Sequence, residues 1–287
     1  MFYSLYSQGC LLLSELVPPV KRCLGAERQD NLVMMSKTSL CWAMWLFVAL
    51  LTVARTQWEQ EATDEEANGF CDWTCMKFVQ LWPGSFCVGL STKFSCVIPP
   101  FVKNWTIHGL WPSEIMNCCP CWHLFKSDLQ DLPTQLSQHW PTLINKTEFF
   151  FWMNEWVKHG TCAACIESLS SPSKYFGMAL KLLAAYNIDK ALEKANILPS
   201  CSQSYQYEAL HRALLPVLGE ACDLQCVTDN KGRQILTQVK VSLFRNFSSG
   251  CFDEKAAVNP SPYKPCLSTR EIFYFPIRLE QPRDPCP

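Results

Sequence analysis

Asn104-Trp-Thr-Ile-His108-Gly-Leu-Trp111-Pro112 and, further along, Trp152-Met-Asn154-Glu155-Trp-Val-Lys158-His159-Gly-Thr-Cys162 carry the densest chemistry in this chain. The first stretch is rich in β-branched and aromatic residues and reads as a strand. Its side chains alternate, so Thr106 and His108 share one face while Trp105 and Ile107 share the other. Gly109 leaves room for another group beside His108, and Trp111 presents a flat surface for stacking. The second stretch reads as a helix on which Glu155, Lys158 and His159 fall at i, i+3 and i+4, on one face. Asn154 and Lys158 are also four apart. Seen alone, such a helical cluster is most often a solvated face with an ordinary ion pair, and a lone strand histidine is most often structural. The two stretches together carry the weight.

Outward from these segments, further strand-like runs lie at 76–82, 235–244 and 271–279, beside 104–110. Helix-like runs lie at 128–140, 148–168, 172–186, 189–196 and 204–218, several of them opening on a capping residue such as Thr147 or Ser173. Strands at both ends with helices clustered between them predict an α+β fold with a central, mainly antiparallel sheet flanked by helices. No repeat, low-complexity tract or linker divides residues 70–280, which read as one domain. Residues 281–287, with Pro282, Pro285 and Pro287, read as an extended tail. A chain of 287 residues that is 48% hydrophobic, with 11 Trp and 17 Phe, buries a sizeable core and is not intrinsically disordered. With 25 basic against 26 acidic residues it is not a strongly basic duplex binder either.

The 18 cysteines point to an oxidising compartment. Residues 38–54 form an uncharged apolar run between Lys37 and Arg55, ending on the small residue Ala54. An acidic spacer at 55–69 follows. This is the pattern of a secretory signal, and its length also sits at the lower limit for an uncleaved membrane anchor. Residues 1–33 precede Met34 and Met35 and read as an extension without a folded role. Cleavage after 54 removes Cys10, Cys23 and Cys41, so fifteen of the 18 cysteines remain and at least one has no intramolecular disulfide partner. Asn104, Asn145 and Asn246 head glycosylation sequons. The expected location is outside the cell or in the lysosomal or endomembrane lumen.

WTIHGLWP and EWVKHGTC closely resemble the two active-site segments of the ribonuclease T2 family of acid endoribonucleases. FVQLWP at 78–83 resembles the family's first strand, KYFGMALKL at 174–182 the helix after the second segment, and REIFYFP at 270–276 the terminal strand. The resemblance covers about residues 70 to 280. It implies cleavage of single-stranded RNA without metal or cofactor, to a 2′,3′-cyclic phosphate and then a 3′-phosphate. RNA permits this because its own 2′-hydroxyl attacks the neighbouring phosphorus. The reaction needs a base, an acid and positive charge for the crowded phosphorane, and imidazoles suit the first two roles because they titrate near the working pH. By resemblance His159 is the base and His108 the acid, with Glu155 and Lys158 supporting the transition state and Trp111 stacking on a base.

The chain departs from the family in two places. Most members carry a phosphate-binding histidine where Asn154 stands, and the acidic residue often found two positions after the first-segment tryptophan is Ser113. A hydrogen bond to a charged group contributes roughly 1.5–3 kcal/mol, so losing the charge at 154 corresponds to about 10- to 100-fold in activity. Two other readings therefore stand beside the enzyme: an RNA-binding protein that keeps the fold, and a membrane-anchored ectodomain. The expected assembly is a monomer with no obligate protein partner and with membrane contact only through an uncleaved leader.

The resemblance also implies disulfides joining Cys87 to Cys96, the 118–121 cluster to Cys162, and Cys222 or Cys226 to Cys266. Phe244 stands where a partner for Cys251 is expected, which leaves Cys251 to pair with Cys222 or Cys226. Cys71, Cys75, Cys165, Cys201 and Cys286 have no family counterpart. A zinc site drawn from Cys118, Cys121, His123, Cys162 and Cys165 competes with the disulfides for the same sulfurs.

Overall fold

The computed structural model describes residues 71–252 and 262–287. The leader, the segment before it and the acidic spacer lie outside the described residues. Trp73–Pro287 forms one compact unit. Its centre is β1 (Cys75–Leu81), flanked antiparallel by β2 (Thr106–Pro112) and, through the later chain, by the long β5 (Gln234–Phe244). Strands β3 (Ser204–Tyr205), β4 (Cys222–Thr228), β6 (Lys264–Pro265) and β7 (Ile272–Phe273) complete the sheet. The main path runs β2-β1-β5-β4-β6. Strand β7 joins β5 in parallel and pairs with β3. The fold is α+β, as the element order predicts.

Helices α1 (Pro83–Phe86), α2 (Pro133–His139), α3 (Glu148–Glu155), α4 (Thr161–Ala163), α5 (Pro172–Ala185), α6 (Ile188–Lys194) and α7 (Tyr207–Leu218) are punctuated by local chemistry. Thr147 caps α3 by accepting from the Phe150 amide. Ser171, rather than Ser173, caps α5 ahead of Pro172 at its first position, the preferred place for proline. Asn187 caps α6.

Several boundaries differ from the sequence pattern. The run at 128–140 divides into a 3₁₀ turn, Lys126–Leu129, and α2, because Pro133 can start a helix but not continue one. The run at 148–168 divides into α3, a wide turn at Trp156–Gly160, α4 and a 3₁₀ turn at Glu167–Leu169. Residues 204 and 205 pair with β7 before α7 begins. The run at 271–279 narrows to β7, and Pro276, without an amide N–H, lies three residues past its end. Strand β4 escaped the pattern because its residues are buried on both faces and do not alternate cleanly.

The core is built on tryptophan. Trp105, Trp140 and Trp156 are fully buried with Tyr175, Phe78 and Phe176. Each indole N–H finds an acceptor, so the aromatic area is buried without an orphaned donor. Trp105 donates to Tyr274 Oη at 3.0 Å, Trp152 to the Trp140 carbonyl at 2.9 Å and Trp156 to the Trp122 carbonyl at 3.0 Å.

Disulfides join Cys87 to Cys96, Cys118 to Cys162 and Cys226 to Cys266. Because Cys118 and Cys162 are bonded to each other, two donors of the competing zinc reading are spent. Cys251 pairs with Cys75, not with Cys222 or Cys226. The register explains the change: Cys75 lies directly opposite Phe244, so the bridge crosses from β1 at the level where β5 lacks a cysteine. Cys222 retains a buried thiol, which burial pushes up to about 11. The Pro-rich end is not a free tail. Cys286 is bonded to Cys201, Arg233 donates to the Cys286 carbonyl at 2.6 Å, and the Arg283 guanidinium bonds the carbonyls of Leu90, Ser91 and Phe94. No helix among the described residues is long and apolar enough to cross a membrane.

Candidate active site

One irregularity in β2 aims His108. In the β1–β2 ladder Val79 faces Gly109 and Gln80 faces Ile107, so His108 is the extra residue of a bulge. Strict alternation would send His108 and Trp111, three positions apart, to opposite faces. With the bulge they meet, edge to face, with ring centroids 5.1 Å apart. The strand is anchored around them. Trp140 donates to the His108 carbonyl at 3.1 Å, Tyr175 Oη donates to the Leu110 carbonyl at 2.8 Å, and the Asp189 carboxylate accepts from the Trp105 amide.

A second irregularity aims His159. The chain leaves α3 through a π turn, Trp156–Gly160, which adds one residue to the helical repeat. Glu155 and His159 are buried, at 8% and 7% exposure, while Lys158 is exposed. The three residues thus share a segment but not one face, contrary to the α-helical spacing. The Lys158 carbonyl accepts from the Asn117 amide at 2.8 Å, and the Cys118–Cys162 bridge ties the same loop to α4. Asn154 is exposed on the outer side of α3.

Trp111 joins the two segments. Its indole N–H donates to Glu155 Oε2 at 2.8 Å. The His159 ring stacks on one face of it at 5.1 Å with a 29° tilt, and Trp111 stays half-buried. Gly109 makes the contact possible, because a Cβ there would strike Trp111 Nε1 and come within 2.5 Å of Glu155 Oε2. The result is a row of His108, Trp111 and His159 with Glu155 beneath and Lys158 at the solvent edge.

Burial dominates the electrostatics. It lowers His108 to about 4, helped by the Lys240 and Lys158 ammoniums and opposed by a hydrogen bond to Gln238. It lowers His159 to about 3, with Lys158 and His108 adding to the effect. Burial raises Glu155 to about 7, against the pull of the Trp111 N–H and Lys158. The empty site therefore favours neutral groups, and both imidazoles titrate below the range that free histidine suggests. The His159 Nδ1 atom is buried with no hydrogen-bond partner among the described residues.

Sequence reading missed Gln238 and Gln225. The Gln238 Oε1 atom lies 2.5 Å from His108 Nδ1, and Gln238 Nε2 donates to Gln225 Oε1 at 3.0 Å. The available signal was a glutamine at the centre of each of two apolar strand segments, since buried polar side chains are informative exceptions. Tyr263 also approaches His108, edge-on at 6.2 Å.

The model of the Ribonuclease T2 family matches residues 73–260, which include every residue of this site except Tyr263. The chain belongs to the ribonuclease T2 family. It is 37% identical over 223 residues to Ribonuclease T2 of Danio rerio, covering 72% of this chain and 89% of that protein. The crystal structure of human RNase T2 is similar with a TM-score of 0.61 at 30% identity, over 72% of this chain and 100% of that one. RNase NT in complex with 5′-AMP is similar with a TM-score of 0.60 at 27% identity, over 71% of this chain and 99% of that one. The ribonuclease T2 fold and activity class follow: this protein is an endoribonuclease.

Proposed function

We propose that this endoribonuclease cuts single-stranded RNA by the two-histidine route. His159 takes the proton of the 2′-hydroxyl, whose oxygen attacks the adjacent phosphorus. The P–O5′ bond breaks, and His108 gives its proton to the departing 5′-oxygen. A 2′,3′-cyclic phosphate results. Water then opens it to a 3′-phosphate with the two roles reversed. Glu155, protonated and held by Trp111, donates a hydrogen bond to a phosphate oxygen, and Lys158 offsets its charge. The observation that carries this reading is the convergence of His108 and His159 on Trp111, with ring centroids 5.1 Å from it in both cases. The occupancy of RNase NT by 5′-AMP supports a nucleotide as the ligand of the equivalent fold.

Trp111 acts here as the spacer that sets the two histidines. The disulfides, the apolar stretch at 38–54 and the sequons at Asn104, Asn145 and Asn246 support a secreted or lysosomal glycoprotein with a cleaved leader. The test is digestion of RNA by protein purified after expression of the full chain, at pH 5 in EDTA, with product ends identified by mass spectrometry. Cyclic and 3′-phosphate ends that vanish in His159→Ala and His108→Ala are expected. Cleavage that survives either substitution would overturn the mechanism.

A further inference from the structure

We propose that Gln238, braced by Gln225, is the positioning residue that holds His108 in its Nδ1–H tautomer and makes Nε2 the nitrogen that exchanges a proton with RNA. The inference deepens the two-histidine reading and rests on it for its catalytic meaning, although the tautomer itself does not. His108 stands on β2, and Gln238 stands on β5, two strands away. The β1–β2 bulge turns the imidazole across β1 so that Nδ1 reaches the Gln238 amide at 2.5 Å. Gln238 is opposite Leu81 of β1 and opposite Gln225 of β4, in register. A second bulge, between Gln225 and Cys226, follows immediately on β4.

The amide orientation decides the chemistry. A glutamine amide turned one way offers a carbonyl, which only accepts, and turned the other way offers an NH₂, which only donates. Gln225 Oε1 takes a hydrogen bond from Gln238 Nε2 at 3.0 Å, so the Gln238 carbonyl is the end left for His108. Facing an acceptor, Nδ1 carries its hydrogen whether the ring is neutral or charged. Both glutamines are buried, at 1% and 7% exposure, where an unpaired amide is costly, so turning Gln238 alone sets its carbonyl against the Gln225 carbonyl and loses that hydrogen bond. Among the described residues His159 has no such tether: its Nδ1 finds no partner, and its ring is held by stacking on Trp111. The site thus contains one imidazole with a fixed tautomer and one whose tautomer is free to change. The orienting group is also uncharged. A carboxylate in its place would hold a proton on His108 far more strongly, whereas an amide fixes the tautomer and leaves the ring a ready proton donor.

The experiment is ¹⁵N NMR of the histidines in protein expressed from the full chain, without RNA, with His108 assigned by substitution among the five histidines. Above its titration His108 is expected to show the Nδ1–H tautomer alone. Gln238→Leu and Gln225→Leu are expected to release a tautomer mixture. They should lower kcat by about 10- to 100-fold, by analogy with the loss of the outer partner of a metal-ligating histidine, with KM little changed. Gln238→Glu should raise the His108 titration by about 1–3 pH units and carry the corresponding limb of the pH–rate profile with it. An Nε2–H tautomer in the wild-type protein overturns the proposal without need of any variant. So does a folded Gln238→Leu protein with an unchanged tautomer and pH profile. If His108→Ala instead keeps full activity, the two-histidine reading falls while the NMR result still decides the tautomer.

Discussion

At the residue scale the site depends on side chains that share very little space. Gly109 is the clearest case, since its missing Cβ is what lets Trp111 reach Glu155. Gly109→Ala forces that pair apart. Overpacking of this kind costs about 1–3 kcal/mol, and when it falls on catalytic geometry kcat/KM should drop about 10- to 100-fold in steady-state assays with far-UV circular dichroism unchanged. Titration gives a second prediction. In the empty site one imidazole is charged and the other neutral mainly between about 3 and about 4. A bound phosphodiester brings negative charge and raises both. The kcat optimum should therefore lie above the kcat/KM optimum by about one pH unit or more, and coincident optima would contradict the burial argument. Glu155 yields a third. Its folded value of about 7 exceeds its ordinary 4.5, so the folded state keeps a proton that the unfolded chain has lost, and stability falls as pH rises through that window. Glu155→Gln removes the effect. Melting curves should show it raising Tm more at pH 7 than at pH 5.

At the scale of elements, both histidines lie on inserted residues. His108 is the odd residue of a strand bulge and His159 sits in a π turn, and each insertion redirects one side chain without ending its element. Period-two and period-3.6 readings located the strand and the helix from Ile107, Leu110, Trp152 and Trp156. The helical period put Glu155, Lys158 and His159 on one face, where the structure buries Glu155 and His159 and exposes Lys158, because a one-residue insertion is invisible to a regular period. The Cys118–Cys162 bridge fastens the loop after β2 to α4, just past the π turn. The two sulfurs are separated by 44 residues in sequence, a loop for which chain entropy gives about 4 kcal/mol and experience about 2–4. The Cys118→Ser/Cys162→Ser double variant should lose on the order of 10 °C in Tm. It should also lose activity at 25 °C, where the protein remains folded, because the bridge holds one histidine's segment against the other's.

For the whole molecule the C-terminal closure makes the opposite prediction. Cys201–Cys286 and the Arg233 contact fasten the last residues beside a small cluster of Val227, Ile235 and Phe275, and Arg283 bonds the carbonyls of Leu90, Ser91 and Phe94. The Cys201→Ser/Cys286→Ser variant should melt earlier by a similar amount while keeping kcat at 25 °C, so thermal and kinetic assays together separate the two bridges. The sequence by itself determined the α+β class, the helical middle of the chain and, through two short strings, the family. Those features are local: they follow from side-chain period, capping residues and short strings whose chemistry depends on residue type. What only the tertiary structure decided is non-local. The Cys75–Cys251 partnership, the fastening of residues 281–287, the stacking of His159 on Trp111 and the reach of Gln238 to His108 all join residues distant in the chain. The Cys75–Cys251 bridge is set by sheet register, the reach of Gln238 to His108 by register and the β2 bulge, and the stacking of His159 on Trp111 by the bulge and the π turn. Register is a property of paired strands, absent from any one of them.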